Sequence, residues 1–465
     1  MNRRTFLSTA AASAALARAE APGAGLHRIQ QLAPKPPLGW NSFDSYGVYL
    51  HEEAAMANLE AMASKLKPFG YEYFVIDNGW FGEYKLIPGT RYPAEKHASD
   101  VRVNEYGLLQ PSKTYFPNGF HGIIDRAHAL GLKFGVHLMR GIPRKAVEAN
   151  LPIQGTQFTA RQAANKASVC TWCNYNYGVN MEHPAGQAFY NSLIGQLAQW
   201  GVDLVKADDL VPYPDEIDGI ANAIEKCGRD MVFSLSPGGK SRQTDLPHFR
   251  RANMLRVTAD VWDRRSDVEK AFEAWRTWQG KECRGFWIDL DMIPFGKLLL
   301  MSPPEHAGTG GAKLAGYGTR RQSALTQDQM RTFITQRAMA ASPLMMGGDL
   351  PTLDTFSLGL LTNREMLACN QNGVMGVLVW EKDGMKVWHA PEREAFGRGW
   401  LGIFNRSAKE KPVALSARQF GLEIGRSYTI DDVWNGGSVV LDNKEQSWSV
   451  AADGVRFLRF NRVKA

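Results

Sequence analysis

The stretches most capable of chemistry are short polar groups that close apolar runs. Val205-Lys206-Ala207-Asp208-Asp209 is one. Lys206 and Asp208 stand two apart, so on a β-strand they share a face. A lysine beside a carboxylate favours its ionised form, which is what a carboxylate nucleophile requires. Arg256-Val257-Thr258-Ala259-Asp260 puts Arg256 and Asp260 four apart, again on one face of a strand. Asp77-Asn78-Gly79-Trp80 closes another run, and Asp289 and Asp291 make a further same-face pair. A helix cap or a structural ion pair accounts for any one of these alone. Four aligned sets point to a site. Two carboxylates across one mouth, with aromatics nearby, suit the splitting of a glycosidic bond. Trp40, Trp80, Trp172 and Trp262 fall at or just past the ends of such runs, and each is a candidate for core packing or for a sugar platform. Metal-dependent hydrolysis needs paired histidines at these positions, and only His137 is so placed.

These groups need a frame that gathers strand ends. Apolar or β-branched runs are expected as strands at Leu38–Phe43, Tyr71–Asp77, Lys133–Met139, Leu204–Asp208, Met231–Ser236, Met254–Asp260, Phe286–Asp291 and Leu344–Asp349. Amphipathic stretches such as Glu52–Leu66, Phe120–Leu130 and Phe189–Trp200 lie between them. Gly70, Gly131, Gly201 and Gly228 mark helix exits. Eight such units predict a (β/α)8 barrel over residues 36–372, whose chemistry sits at the C-terminal strand ends. A doubly wound sheet is disfavoured because no glycine-rich GxGxxG turn follows the first strand. From about residue 373 to 465, short strands separated by Gly, Asn, Asp and Lys turns predict a C-terminal antiparallel β-sandwich.

Composition narrows the class. The chain has 465 residues, 44% hydrophobic and 22% charged, with a net charge of +7. No run of five basic residues supplies a stripe for nucleic acid. Met1 to Ala21 reads as a twin-arginine-like export signal: Arg3-Arg4, then Phe6-Leu7 and an alanine-rich run, with small-x-small cleavage options ending at Ala19 and Ala21. That predicts a periplasmic or secreted protein. Removal after Ala19 takes away Arg3, Arg4 and Arg18 and no acid, lowering the charge to +4. No other stretch is long and apolar enough for a membrane span. Among five cysteines, Cys170-Thr171-Trp172-Cys173 has CxxC spacing. A zinc site needs further ligands that the sequence does not offer nearby, so a local disulfide is expected and no metal or cofactor.

Taken together, Pro37-Leu38-Gly39-Trp40-Asn41-Ser42, Gly70 to Asp77, Phe116-Pro117-Asn118-Gly119, Gly131 to Gly135, Trp200 to Asp208, Arg256 to Asp260, Asp289-Leu290-Asp291-Met292 and Ala341 to Leu350 resemble glycoside hydrolase family 27. This family of α-galactosidases and α-N-acetylgalactosaminidases belongs to a clan of retaining α-glycosidases. The likeness runs from about Pro36 to Asn372. It implies an exo-acting, retaining glycosidase, most simply an α-galactosidase, taking a terminal sugar from an oligosaccharide or polysaccharide. Asp208 is then the nucleophile and Asp260 the acid/base, with Asp77, Asn78, Lys206, Ser236 and Arg256 around the sugar.

The departures bear on which sugar. Asn78 replaces the second of two consecutive aspartates, Phe43 replaces a tryptophan and His137 replaces a tyrosine. Ser236 stands where many relatives carry a bulkier segment, which leaves room for a 2-substituent. The loop from Arg140 to His183 carries Trp172, Tyr175 and Tyr177 and is placed to close one side of the pocket. The same apparatus would serve an α-N-acetylgalactosaminide, a β-L-arabinopyranoside or an isomaltose-releasing activity. Loss of catalysis would leave a carbohydrate-binding barrel.

Overall fold

The structure, a computed structural model, describes residues 28–237, 239–302 and 319–463. The export segment expected at 1–21 lies outside them. Eight parallel strands form one curled sheet: β1 (Leu38–Asn41), β2 (Tyr73–Ile76), β3 (Lys133–Met139), β4 (Leu204–Asp208), β5 (Val232–Leu235), β6 (Met254–Arg256), β7 (Trp287–Asp289) and β8 (Leu344–Met346). Each pairs with its sequence neighbour, and β8 returns to β1 through Leu38 beside Leu344. A parallel bridge between Ile293 and Met346 joins the β7 side to β8 and closes the ring. This is the (β/α)8 barrel.

The helices follow from local signals. After β1 comes α1 (Glu52–Lys65), with His51 accepting from the Ala54 N–H as its cap. After β3 comes α2 (Pro184–Trp200), where Pro184 fits the first turn and His183 caps the Ala185 N–H. Gly201 ends that helix at φ 93°, a left-handed position at which a side chain would be strained.

The barrel interior sets up the site. Side chains alternate along each strand, so Tyr73 and Val75 are followed by Asp77, and Leu204 by Lys206 and Asp208. Tyr73, Val75, Leu204, Val232, Met254, Met292 and Met345 form one buried apolar cluster, with Phe43 packed against it. Polar residues take over toward the C-terminal ends, with Ser234 following Val232 and Arg256 following Met254. The apolar plug makes a floor, and the polar rows above it make the mouth.

Several strands stop short of the expected limits. β6 ends at Arg256 and β7 at Asp289, so Asp260 and Asp291 lie on loops beyond the strands. Asp291 has φ 75°. The same-face spacing argument for Arg256 with Asp260 is therefore corrected, since the loop after β6 brings them together. Phe43 opens a short helix, Phe43–Tyr46, instead of closing β1.

The C-terminal region has β9 (Val377–Lys382), β10 (Met385–Pro391), β11 (Arg398–Asn405), β12 (Lys411–Leu415), β13 (Tyr428–Asp432), β14 (Ser438–Leu441), β15 (Gln446–Val450) and β16 (Val455–Arg462). Six make an antiparallel sheet in the order β9-β10-β11-β16-β13-β14, and β12 pairs with β15. β12 was not anticipated. It begins Lys411-Pro412 and is preceded by Lys409 and Glu410, which hide a strand pattern. The two regions share a core. Trp275 of the barrel stacks on Trp388 of β10 with centroids 3.6 Å apart, and Trp400, Phe404 and Phe457 belong to the barrel's own apolar cluster.

Candidate active site

Asp208 ends β4 with its side chain 14% exposed. His137, fully buried on β3, places Nε2 3.1 Å from Asp208 Oδ2. An ionised carboxylate only accepts, so Nε2 carries the proton. Burial alone raises the Asp208 carboxyl. The His137 hydrogen bond, then the His137 ring and the cations Lys206 and Arg256, reverse this and hold it well below the usual carboxylate range.

Lys206 makes its direct contact elsewhere. Its Nζ lies 2.7 Å from Asp77 Oδ2, which also accepts from Asn41 Nδ2 at 2.6 Å. Against the pull of burial, these partners keep Asp77 below its ordinary value. Lys206 therefore acts on Asp208 through space while holding Asp77 by contact. Asn41, together with Ser42, whose Oγ accepts from the Asp77 backbone N–H at 2.9 Å, fixes the end of β2 from the end of β1.

Asp260 differs from Asp208 in every relevant respect. Its side chain is 43% exposed and reaches the mouth of the barrel. Arg256 Nη1 donates to Asp260 Oδ1 at 2.9 Å and to Asp291 Oδ2 at 3.1 Å. Burial, and the negative charges of Asp291 and Asp208, outweigh the Arg256 contribution and raise the Asp260 carboxyl. Asp291 also accepts from the Val261 N–H at 2.7 Å, which steadies the loop that carries Asp260. One carboxyl is thus kept ionised and the other is pushed toward its protonated form. That division permits nucleophilic attack by one and proton transfer by the other.

Asn78 and Ser236 each leave one buried oxygen, Oδ1 and Oγ, without a hydrogen-bond partner. Ser236 is held by its N–H to the Ala207 carbonyl at 2.9 Å, beside the strand that bears Asp208. Asp77, Lys206, Asp208, Arg256 and Asp260 thus form one electrostatically connected set, with Ser236 tied to its β4 wall and Asn78 following Asp77.

Sequence reasoning missed the parts played by four residues. His137 was noted only as a lone strand-end histidine and as a substitution, although a single imidazole in the run Lys133–Met139 was the available signal. Arg140 donates to Asp209 at 3.1 Å and to Glu216 at 2.6 Å, bracing the residue after the nucleophile strand, which sits at φ 57°. Cys173 lies beside the Asn78 side chain, and Cys170 beside Asp209. The disulfide expected between them is absent. All five cysteines are free thiols, and these two lie beside different side chains. Among the described residues, no group of three or more His, Cys, Asp or Glu is arranged to hold a metal.

The tryptophans also sort themselves. Trp40 is buried, stacked on Phe74, and donates from Nε1 to the Gly348 carbonyl at 2.9 Å. Trp80 is buried and donates to the His137 carbonyl at 2.8 Å. Trp262 is buried as well, whereas Trp172 is 54% exposed.

The chain is similar to several known proteins. The family model described as "Alpha galactosidase A" matches residues 171–372. An α-galactosidase A from Cellvibrio japonicus is 25% identical over 402 residues, covering 83% of this chain and 78% of its own. An α-galactosidase from Cyamopsis tetragonoloba is 23% identical over 426 residues, covering 90% and 84%. The crystal structure of a family 27 β-L-arabinopyranosidase from Geobacillus stearothermophilus superposes with a TM-score of 0.84 at 36% identity, covering 94% of this chain and 98% of that one. Likeness of that degree along nearly the whole of both chains leaves one conclusion: this chain belongs to glycoside hydrolase family 27, as a retaining, α-galactosidase-like glycosidase.

Proposed function

We propose that the enzyme removes terminal galacto-configured sugars from oligosaccharides or polysaccharides, α-D-galactosides first, by double displacement. The opposed environments of Asp208, held ionised beside His137, and Asp260, whose carboxyl is raised at the open mouth, carry this reading. Asp208 attacks the anomeric carbon while Asp260 gives its proton to the departing glycosidic oxygen. The aglycone leaves as an alcohol, and the sugar remains as an ester of Asp208. Asp260, now ionised, takes a proton from water. The resulting hydroxide equivalent displaces Asp208 and releases the sugar with its anomeric configuration retained. The exposure of Asp260 suits a group that must meet both leaving group and water. The Asp77–Lys206 pair offers an acceptor and a donor side by side, as an axial 4-hydroxyl requires, and Arg256, Asn78 and Ser236 supply further polar contacts to the ring.

A second sugar is favoured by a specific observation. Asn78 replaces a carboxylate, and a relative at 36% identity is a β-L-arabinopyranosidase, whose named sugar shares the galactose configuration without the hydroxymethyl group. Nitrophenyl α-D-galactoside and β-L-arabinopyranoside, assayed side by side with proton NMR of the first-formed anomer, decide the matter. A higher kcat/KM on the galactoside with retention supports the first reading. Preference for the arabinoside replaces the sugar, and inversion overturns the mechanism.

The export reading is part of the same proposal and rests on Arg3-Arg4 and the alanine-rich run after them. N-terminal sequencing of protein from the periplasm or medium tests it, with Glu20 or Pro22 expected as the first residue.

A further inference from the structure

The long connection after β3 is folded, and its tip lies at the mouth of the barrel. Strands Ala164–Val169 and Asn176–Val179 pair antiparallel, and the second also pairs with Ile142–Pro143 just beyond β3. Asn176 Nδ2 donates to the carbonyls of Met139 and Arg140 at 3.2 and 3.0 Å, tying this small sheet to the end of β3. Residues 170–175 are its connecting loop. Cys170 lies beside Asp209. Cys173 lies beside the Asn78 side chain, and the Arg144 N–H donates to the Tyr175 carbonyl at 2.9 Å. Tyr175 packs edge-on against buried Phe81 with centroids 5.8 Å apart.

The loop is therefore anchored at its Tyr175–Asn176 end and packed beside Asp209, the residue after Asp208, and Asn78, the residue after Asp77. Its position is fixed at the rim above the ends of β2 and β4. A side chain held so firmly in place, yet 54% exposed and a tryptophan, presents a broad apolar face to whatever leaves the mouth. The other tryptophans near strand ends, Trp40, Trp80 and Trp262, have their rings buried. Pyranose rings carry an apolar C–H face that stacks on indole.

We propose that Trp172 is the platform for the leaving-group sugar, an aglycone subsite adjoining the pocket. It rests on the glycosidase reading, because its occupant is the second sugar of the substrate. The terminal sugar is held below by Asp77, Lys206 and Arg256, while the next ring passes over the β2–β4 rim and stacks on the indole. Binding there lowers KM for substrates whose leaving group is a ring and does nothing for one whose leaving group is a single atom.

The test compares Trp172→Ala and Trp172→Phe with the wild type on two substrates of the same terminal sugar. One is the disaccharide melibiose, or the β-L-arabinopyranosyl disaccharide if the wild type takes that sugar, and the other is the matching glycosyl fluoride. The expected result for Trp172→Ala is a loss of about 10-fold in kcat/KM on the disaccharide, carried by KM, with fluoride release unchanged within about two-fold. Trp172→Phe should restore most of the loss. Equal losses on both substrates show a loop that merely holds the pocket's shape and overturn the platform, as does no loss on either. Failure of the wild type to release fluoride from either glycosyl fluoride overturns the underlying sugar assignment, which is a distinct pattern.

Discussion

His137 Nε2 lies 3.1 Å from Asp208 Oδ2, on the strand next to the one that bears the carboxylate, with the imidazole wholly buried. The register pairs His137 with Lys206 and Met139 with Asp208, so the ring reaches two residues along to the carboxylate. This bond is the foremost of the contacts that hold Asp208 ionised against its burial. Replacing His137 with Phe removes the donor and keeps the ring volume. The Asp208 carboxyl then rises, and the acid limb of kcat/KM moves to higher pH, with a loss of about 10- to 100-fold at neutrality. A pH–rate profile measures both.

The two carboxyls together define a bell. Activity needs Asp208 deprotonated, so it is lost only as pH falls through that group's lowered value. It also needs Asp260 protonated, so it is lost as pH rises through a value above the ordinary 3.8. Asp260→Asn removes the alkaline limb. It should lower kcat/KM by about 10²–10⁴-fold on substrates with alcohol leaving groups and by much less on a glycosyl fluoride, which leaves without a proton. Profiles on both substrates check this.

Lys206 links Asp77, by contact, to Asp208, through space. Lys206→Met leaves a buried carboxylate with only Asn41 as a side-chain donor. A fall of about 10²-fold in kcat/KM is expected, with KM rising and the acid limb shifting upward. Steady-state kinetics across pH separate the two parts.

Much of this frame was legible in the sequence, because buried parallel strands read as apolar runs and the β3 and β4 limits emerged unchanged. The alternation Leu204, Lys206, Asp208 was likewise readable from spacing alone. The position of Asp260 was not, since it depends on a loop held by Asp291 and Arg256 and on no strand period. Nor was the His137–Asp208 bond, because it is set by the register between two strands, which one sequence does not display. The hairpin that presents Trp172 was hidden for a related reason. Its strand Ala164–Val169 is largely exposed and lacks an apolar stripe, so only its partners reveal it.

Away from the mouth, Glu282 sits where the barrel meets the C-terminal sheet, accepting from the Met375 N–H at 3.3 Å with Oε2 unpartnered. Burial pushes its carboxyl from the ordinary 4.5 to about 7. The folded state therefore holds a proton that the unfolded chain has already lost between those values, and stability declines as pH rises through that window. Glu282→Gln should leave Tm unchanged near pH 4 and raise it by a few degrees at pH 8. Thermal melts at the two pH values test the sign.

The central claim is that Asp208 becomes covalently joined to the sugar. Incubation with a 5-fluoro glycosyl fluoride of the preferred sugar slows release of that ester, and peptide mass spectrometry locates it. The account predicts one added glycosyl group per chain, on Asp208. Labelling of any other residue, or steady turnover of the wild type with no labelled peptide at any time, would contradict it.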